Sequence, residues 1–145
     1  MRLIEKIPYS QAVGSIMYSI ISTRPNLSFA ISVRSRFMRN PEQEHWMAMK
    51  WLLGYLKVYL NMGLVYEKNV KPIWLEGFMD SDYGGDRDKR SLTTSYFFTL
   101  NGCCISWKSQ LQSIVALFAI EAKYIAATES IKEAIWLQGL LTELK

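Results

Sequence analysis

The sequence is poor in the residues on which several classes of protein depend. It holds two cysteines, one histidine and four prolines in 145 residues. Cys103 and Cys104 are adjacent, so a disulfide between them would be strained, and no His or Cys lies at metal-ligand spacing. The N-terminus lacks an apolar run of signal-peptide length, and no segment is long enough to span a membrane. These absences predict an intracellular protein, in the cytoplasm or nucleus, with small buried thiols and no membrane partner.

The composition is that of a packed globular protein with a mild basic excess. Half of the residues are apolar and 13% are aromatic, which suits one domain or two small subdomains. The net charge of +4 comes from 17 basic and 13 acidic residues. This excess fits a polyanionic partner without requiring one.

The first part of the chain has the periodicity of three short helices. Apolar residues recur at helical spacing over residues 9 to 22, and Thr23-Arg24-Pro25-Asn26 ends that helix because a residue before proline avoids helical geometry. Asn26 is predicted to cap a second helix. Asn40-Pro41-Glu42-Gln43 is predicted to start the third, with Asn40 as the cap and proline at the first helical position. These helices define a predicted segment over residues 1–62.

The second part of the chain, residues 63–145, changes to strand periodicity and then returns to a helix. Alternation from Ile73 to Met79 predicts a strand. The run from Tyr96 to Trp107 predicts a hairpin whose turn is Asn101-Gly102. Apolar residues at helical intervals then predict a helix from about Glu121 to Lys145. The five tryptophans, at apolar spacing, are expected in the core: Trp46, Trp51, Trp74, Trp107 and Trp136.

Three carboxylates lie within seven positions directly after the strand that ends at Met79. The run reads Asp80-Ser81-Asp82-Tyr83-Gly84-Gly85-Asp86. Carboxylates at the end of a strand, followed by glycines that allow a tight turn, are a common way to hold divalent metal. Acidic turns with glycine are also ordinary solvated loops, so the neighbouring motifs decide between the two interpretations.

Those motifs resemble the copia-type LTR retrotransposon Pol polyprotein. Four features follow the order of its ribonuclease H domain. They are the acidic run, the hairpin, Ile105-Ser106-Trp107-Lys108-Ser109 and Glu121-Ala122-Lys123-Tyr124. Upstream, Pro8 to Tyr18 and further short motifs resemble the connection that follows reverse transcriptase; these are Thr23-Arg24-Pro25-Asn26, Ser35-Arg36-Phe37-Met38 and His45-Trp46-Met47-Ala48. The resemblance implies an α/β fold, with a three-helix connection segment over 1–62 and a truncated ribonuclease H-like βββα unit over 63–145.

The resemblance also implies a catalytic site that this sequence does not complete. The family holds two divalent ions, usually magnesium, with an aspartate matching Asp80, a glutamate matching Lys123, and an aspartate on a strand expected after Lys145. Glu121 cannot replace the glutamate, because two positions along a helix turn a side chain by roughly 200°. We therefore expect a catalytically inactive remnant that binds no metal, with at most weak binding by Asp80, Asp82 and Asp86.

An alternative function is a retained module that binds nucleic acid or protein through the basic helices. The family's partner is an RNA–DNA hybrid or DNA. The candidate phosphate contacts are Arg24, Arg36, Arg39, Lys50 and Lys108, although a solvated basic face is the more common explanation of such residues. In the family a later strand pairs beside Asp80, so its absence predicts self-association through an incomplete sheet edge. The single histidine, His45, lacks a nucleophilic partner and is expected to pack or to form a hydrogen bond.

Overall fold

The structure is a computed structural model that describes residues 7–68, 72–82, 92–112 and 118–144. The chain divides into two compact units, Met1–Leu64 and Val65–Lys145. The predicted boundary, between residues 62 and 63, lies two positions before this division.

The first unit is helical. Its described elements are α1 (Tyr9–Thr23), a 3-10 turn (Pro25–Leu27), α2 (Ser28–Ser35) and α3 (Gln43–Val58). They enclose one apolar core made of Tyr9, Val13, Ile16, Ile20, Leu27, Ile31, Met49 and Leu52. The apolar spacing of α1 therefore predicted its buried face correctly.

The second helix does not begin as predicted. Asn26 lies inside the 3-10 turn, and its side-chain nitrogen donates a hydrogen bond to the Tyr55 hydroxyl at 2.9 Å. The residue before α2 is Leu27, which offers no side-chain cap. The prediction of an Asn26 cap was wrong, because the short turn after Pro25 carries the asparagine away from the helix start.

The third helix begins two residues later than predicted. Its capping residue is Glu42, whose backbone nitrogen donates to Nδ1 of His45 at 2.9 Å. The His45 ring also stacks on Phe37, with ring centroids 3.8 Å apart. His45 therefore takes the packing and hydrogen-bonding role expected of it, and it replaces the reciprocal residue of an ordinary capping box.

The second unit is a three-stranded antiparallel sheet with one described helix against it. The strands β1 (Leu75–Asp82), β2 (Thr93–Leu100) and β3 (Cys103–Leu111) lie in the order β1-β2-β3, and α4 spans Ala119–Glu143. The predicted turn is confirmed, since Asn101 and Gly102 both have positive φ, at 52° and 83°. The first strand is displaced from its predicted range by two to three residues.

The face of α4 that contacts the sheet is made of small residues and one leucine. Ala122, Ala126, Ser130 and Leu137 are buried, and Leu137 packs with Tyr96 and Phe98 of β2. The longer apolar side chains used to predict this helix lie mostly on the outer side, where Tyr124, Ile131 and Ile135 are exposed. Small side chains allow a close helix–sheet approach, so side-chain size alone indicated the wrong face.

Three of the five tryptophans are not in a core. Trp51, Trp74 and Trp136 are 79%, 66% and 60% exposed. Trp46 packs at the margin of the first unit's core, and Trp107 is half-buried on β3. The prediction was wrong for Trp51 and Trp136 because apolar spacing does not distinguish the two sides of an element that is apolar on both. It was wrong for Trp74 because this residue lies just before β1 and not in an element.

The described residues thus form a mixed α/β protein with helices α1 to α4 and one antiparallel sheet. Within these ranges, no helix is both long and apolar enough to cross a membrane.

Candidate functional site

Asp80 lies near the end of β1 and is exposed to solvent. It stands opposite Ser95 in the β1–β2 register. Its Oδ1 accepts a hydrogen bond from the backbone nitrogen of Ser81 at 2.8 Å. The carboxylate is therefore folded back on its own strand.

The pleat of β1 separates the residues that face α4 from those that do not. The sulfur of Met79 accepts a hydrogen bond from the Ser130 hydroxyl of α4 at 3.2 Å. Since successive side chains alternate, Phe78 and Asp80 belong to the opposite face. The Phe78 ring stacks there on Phe97, with centroids 4.8 Å apart.

Lys123 lies in the first turns of α4 and reaches the same end of β1 as Asp80. The two residues line a cavity of about 220 Å³ together with Met79, Ser81 and Ala126. Between these two described side chains there is no ion pair within 4.0 Å. Glu121 does not line the cavity. Lys123, and not Glu121, therefore lies beside this end of β1.

The described lining of this cavity does not fit a pair of magnesium ions. Such ions need several converging carboxylates, whereas this lining offers one carboxylate and one ammonium group. Within the described residues, no three His, Cys, Asp or Glu side chains gather in one place. Asp86 and the side chain of Asp82 lie outside the described residues.

Arg24 has a structural position rather than an accessible one. It is only 7% exposed, and its guanidinium donates hydrogen bonds to the carbonyl oxygens of Tyr59 and Leu60, just beyond the end of α3. A cation at a helix C-terminus satisfies free carbonyl groups and interacts favourably with the helix dipole. This arrangement withdraws Arg24 from the candidate phosphate contacts. The feature of the sequence that indicates this structural role is the position of Arg24 directly before Pro25, at the bend after α1.

The remaining basic candidates differ in their accessibility. Arg39 and Lys50 are exposed, while Arg36 is half-buried beside the end of α2. Lys108 is half-buried on β3 and lies near an acidic residue of α4. The pKa of Glu129 is lowered mainly by its hydrogen bond from Lys132 at 2.9 Å, with a smaller contribution from the charge of Lys108.

Comparison with known proteins relates the whole chain to transposon proteins. It is 50% identical over 139 residues to the retrovirus-related Pol polyprotein from transposon TNT 1-94 of Nicotiana tabacum, a match covering 96% of the chain and 10% of that polyprotein. The chain is therefore similar to one segment of a retrotransposon Pol polyprotein. The corresponding Pol polyprotein from transposon RE1 of Arabidopsis thaliana is 35% identical over 143 residues, again 10% of its length.

One relative of this chain has nearly the same extent. The secreted RxLR effector protein 161 of Plasmopara viticola is 41% identical over 133 residues, which cover 92% of the chain and 93% of that protein. The chain spans about a tenth of the length of the Pol polyproteins reported above. No family model matches the chain, and no solved structure matches it.

Proposed function

We propose that this chain is a catalytically inactive copia-type segment. It would comprise the connection after reverse transcriptase and the first part of a ribonuclease H-like domain. The observation that supports the proposal is that Lys123, at the position where the resemblance implies a metal-binding glutamate, lines the same cavity as Asp80. A positive charge at this position opposes cation binding, by roughly 4 kcal/mol for two unit charges about 4 Å apart at an effective dielectric of 20.

The proposal predicts no ribonuclease H activity in the purified chain. An RNA strand paired with DNA should stay intact in magnesium or manganese, because the ion-binding set is incomplete. The measurement is cleavage of a labelled hybrid by gel electrophoresis, with Asp80→Asn as the matched control. Metal-dependent cleavage that disappears in Asp80→Asn would refute the proposal.

A second candidate function is nucleic-acid binding without cleavage, and the charge of the first unit favours it. Over residues 7–64 there are two acidic residues, Glu42 and Glu44, and six basic ones: Arg24, Arg34, Arg36, Arg39, Lys50 and Lys57. Arg39 and Lys50 are exposed, whereas Arg24 is bonded to the carbonyl groups that follow α3.

The test is the salt dependence of binding to an RNA–DNA hybrid and to DNA. Phosphate contacts by Arg39 and Lys50 release counterions, so the double variant Arg39→Gln/Lys50→Gln should bind more weakly and with a shallower salt slope. Unchanged affinity and slope in that variant would count against these contacts.

A further inference from the structure

Helix α3 is apolar on two opposite sides. Met49 and Leu52 are buried in the core of the first unit. On the far side, Met47, Trp51 and Val58 are spaced by four and seven residues and are 47%, 79% and 74% exposed. A surface helix normally keeps one polar face, so this second apolar face indicates a ligand or partner.

The second face carries a shallow groove, open to solvent, of about 720 Å³. Gly54 lies between Trp51 and Val58, and a Cβ built on it would meet nothing within 4 Å. Tyr55 and Tyr59 line one side, with ring centroids 4.7 Å apart. Three of the seven lining residues are aromatic. The full lining is Met47, Lys50, Trp51, Gly54, Tyr55, Val58 and Tyr59.

The charge along this groove is positive. Lys50 lines it, no carboxylate is among the lining residues described, and Lys57 follows seven residues later on the same side of the helix. The two lysines are exposed and about 10 Å apart along the axis, at 1.5 Å of rise per residue. An apolar protein partner would leave both ammonium groups without counter-charge.

We propose that this groove, defined by Trp51, Gly54 and Val58 with the rim Lys50 and Lys57, binds single-stranded nucleic acid. An unpaired base stacks on Trp51, and the adjacent phosphates contact the two lysines. Aromatic platforms combined with cations are the usual means of holding single strands without reading sequence. The inference deepens the nucleic-acid-binding proposal and rests on it, but it assigns the contact to bases as well as to phosphates.

The test measures fluorescence anisotropy of a labelled 12-nucleotide oligo(dT) with the full chain. Trp51→Ala should weaken binding about tenfold, since stacking of one base is worth roughly 1–3 kcal/mol. Trp51→Phe, which keeps a ring, should recover most of the affinity. Trp136→Ala removes another exposed indole, in the second unit, and should have no effect.

Filling the groove supplies an independent variant that is not expected to damage the fold. Gly54→Leu adds a side chain in open space and should weaken binding, whereas Gly14→Leu, at an equally open position of α1, should not. Wild type and Trp51→Ala should bind an abasic strand, which has the same phosphates but no bases, with equal affinity.

Two results would overturn the groove assignment alone: equal affinity of wild type and Trp51→Ala, or equal binding of the abasic strand. Self-association that Trp51→Ala abolishes, without any nucleic-acid binding, would show a protein interface instead. If neither wild type nor any variant shows salt-dependent binding, the underlying nucleic-acid proposal is refuted. The failures of the two proposals are thereby distinguishable.

Discussion

At the scale of single residues, Arg24 shows how a basic side chain in a retrotransposon-derived sequence can serve the fold. Its position before Pro25 places it at a bend, and its guanidinium reaches the carbonyl groups that follow α3. A charged group that is buried and bonded in this way is costly to remove, because the hydrogen bonds to both carbonyl groups are lost with it.

Replacing Arg24 with alanine should therefore lower the free energy of unfolding by about 1–3 kcal/mol. The measurement is urea denaturation monitored by circular dichroism. Arg39→Ala, at an exposed position, should stay within about 0.5 kcal/mol of wild type. Equal effects of the two substitutions would contradict the structural role of Arg24.

Tyr96 gives the second unit a dependence on high pH. Burial raises its pKa above the ordinary value of 10.0, with smaller contributions from Glu133 and Glu129. The folded state thus keeps the phenol neutral where the unfolded state ionises it. The stability contribution is complete below pH 10 and is lost as pH rises from 10 toward the pKa of the folded state.

We expect Tyr96→Phe to remove part of the fall in stability between pH 9 and pH 11. Denaturation midpoints of wild type and variant at several pH values check this. Parallel decline of the two proteins over that range would show that Tyr96 does not contribute.

At the scale of elements, the sequence predicted the existence of each helix and strand better than its ends or faces. The Asn101-Gly102 turn was predicted correctly because positive φ at two successive positions demands that pair. The start of α3 was misplaced because His45 was not recognised as the reciprocal capping residue. The inner face of α4 was missed because alanine and serine carry little hydrophobic signal.

Within β1, Gly77 is required by the close approach of a neighbouring ring. A Cβ at this position would overlap the buried Phe98 side chain. Gly77→Ala should therefore destabilise the second unit by about 1–3 kcal/mol. Gly139→Ala, in open space on α4, should instead stabilise it by about 0.5–1 kcal/mol, as measured by thermal unfolding. A neutral Gly77→Ala would show that the ring can move away.

At the scale of the whole molecule, the second unit presents an edge. In the described sheet, β1 pairs only with β2, and Phe78 and Met79 on it are about half exposed. An open edge strand with apolar side chains favours pairing with another chain.

We predict concentration-dependent oligomers of the purified chain by light scattering. Phe78→Lys should reduce them, because charge on an edge strand disfavours such pairing. Tyr124→Lys, a comparable change on the outer side of α4, should not. A monodisperse monomer at all concentrations would contradict the prediction.

The candidate site was partly predictable on the same scale. The place of Asp80 on the first strand and of Lys123 on the last helix followed from the order of motifs, and the cavity joins them. The lack of a direct ion pair was not predictable, because it depends on the pleat that directs Asp80 away from α4. The burial of Arg24 required knowledge of where α3 ends in space.

The contact between Gly77 and Phe98 couples two positions that are 21 residues apart in sequence. During sequence drift, a side chain should enter position 77 only after the ring at position 98 has become smaller. The order of those two changes is therefore constrained. Ancestral reconstruction across related transposons should show the aromatic residue lost before, and never after, the glycine.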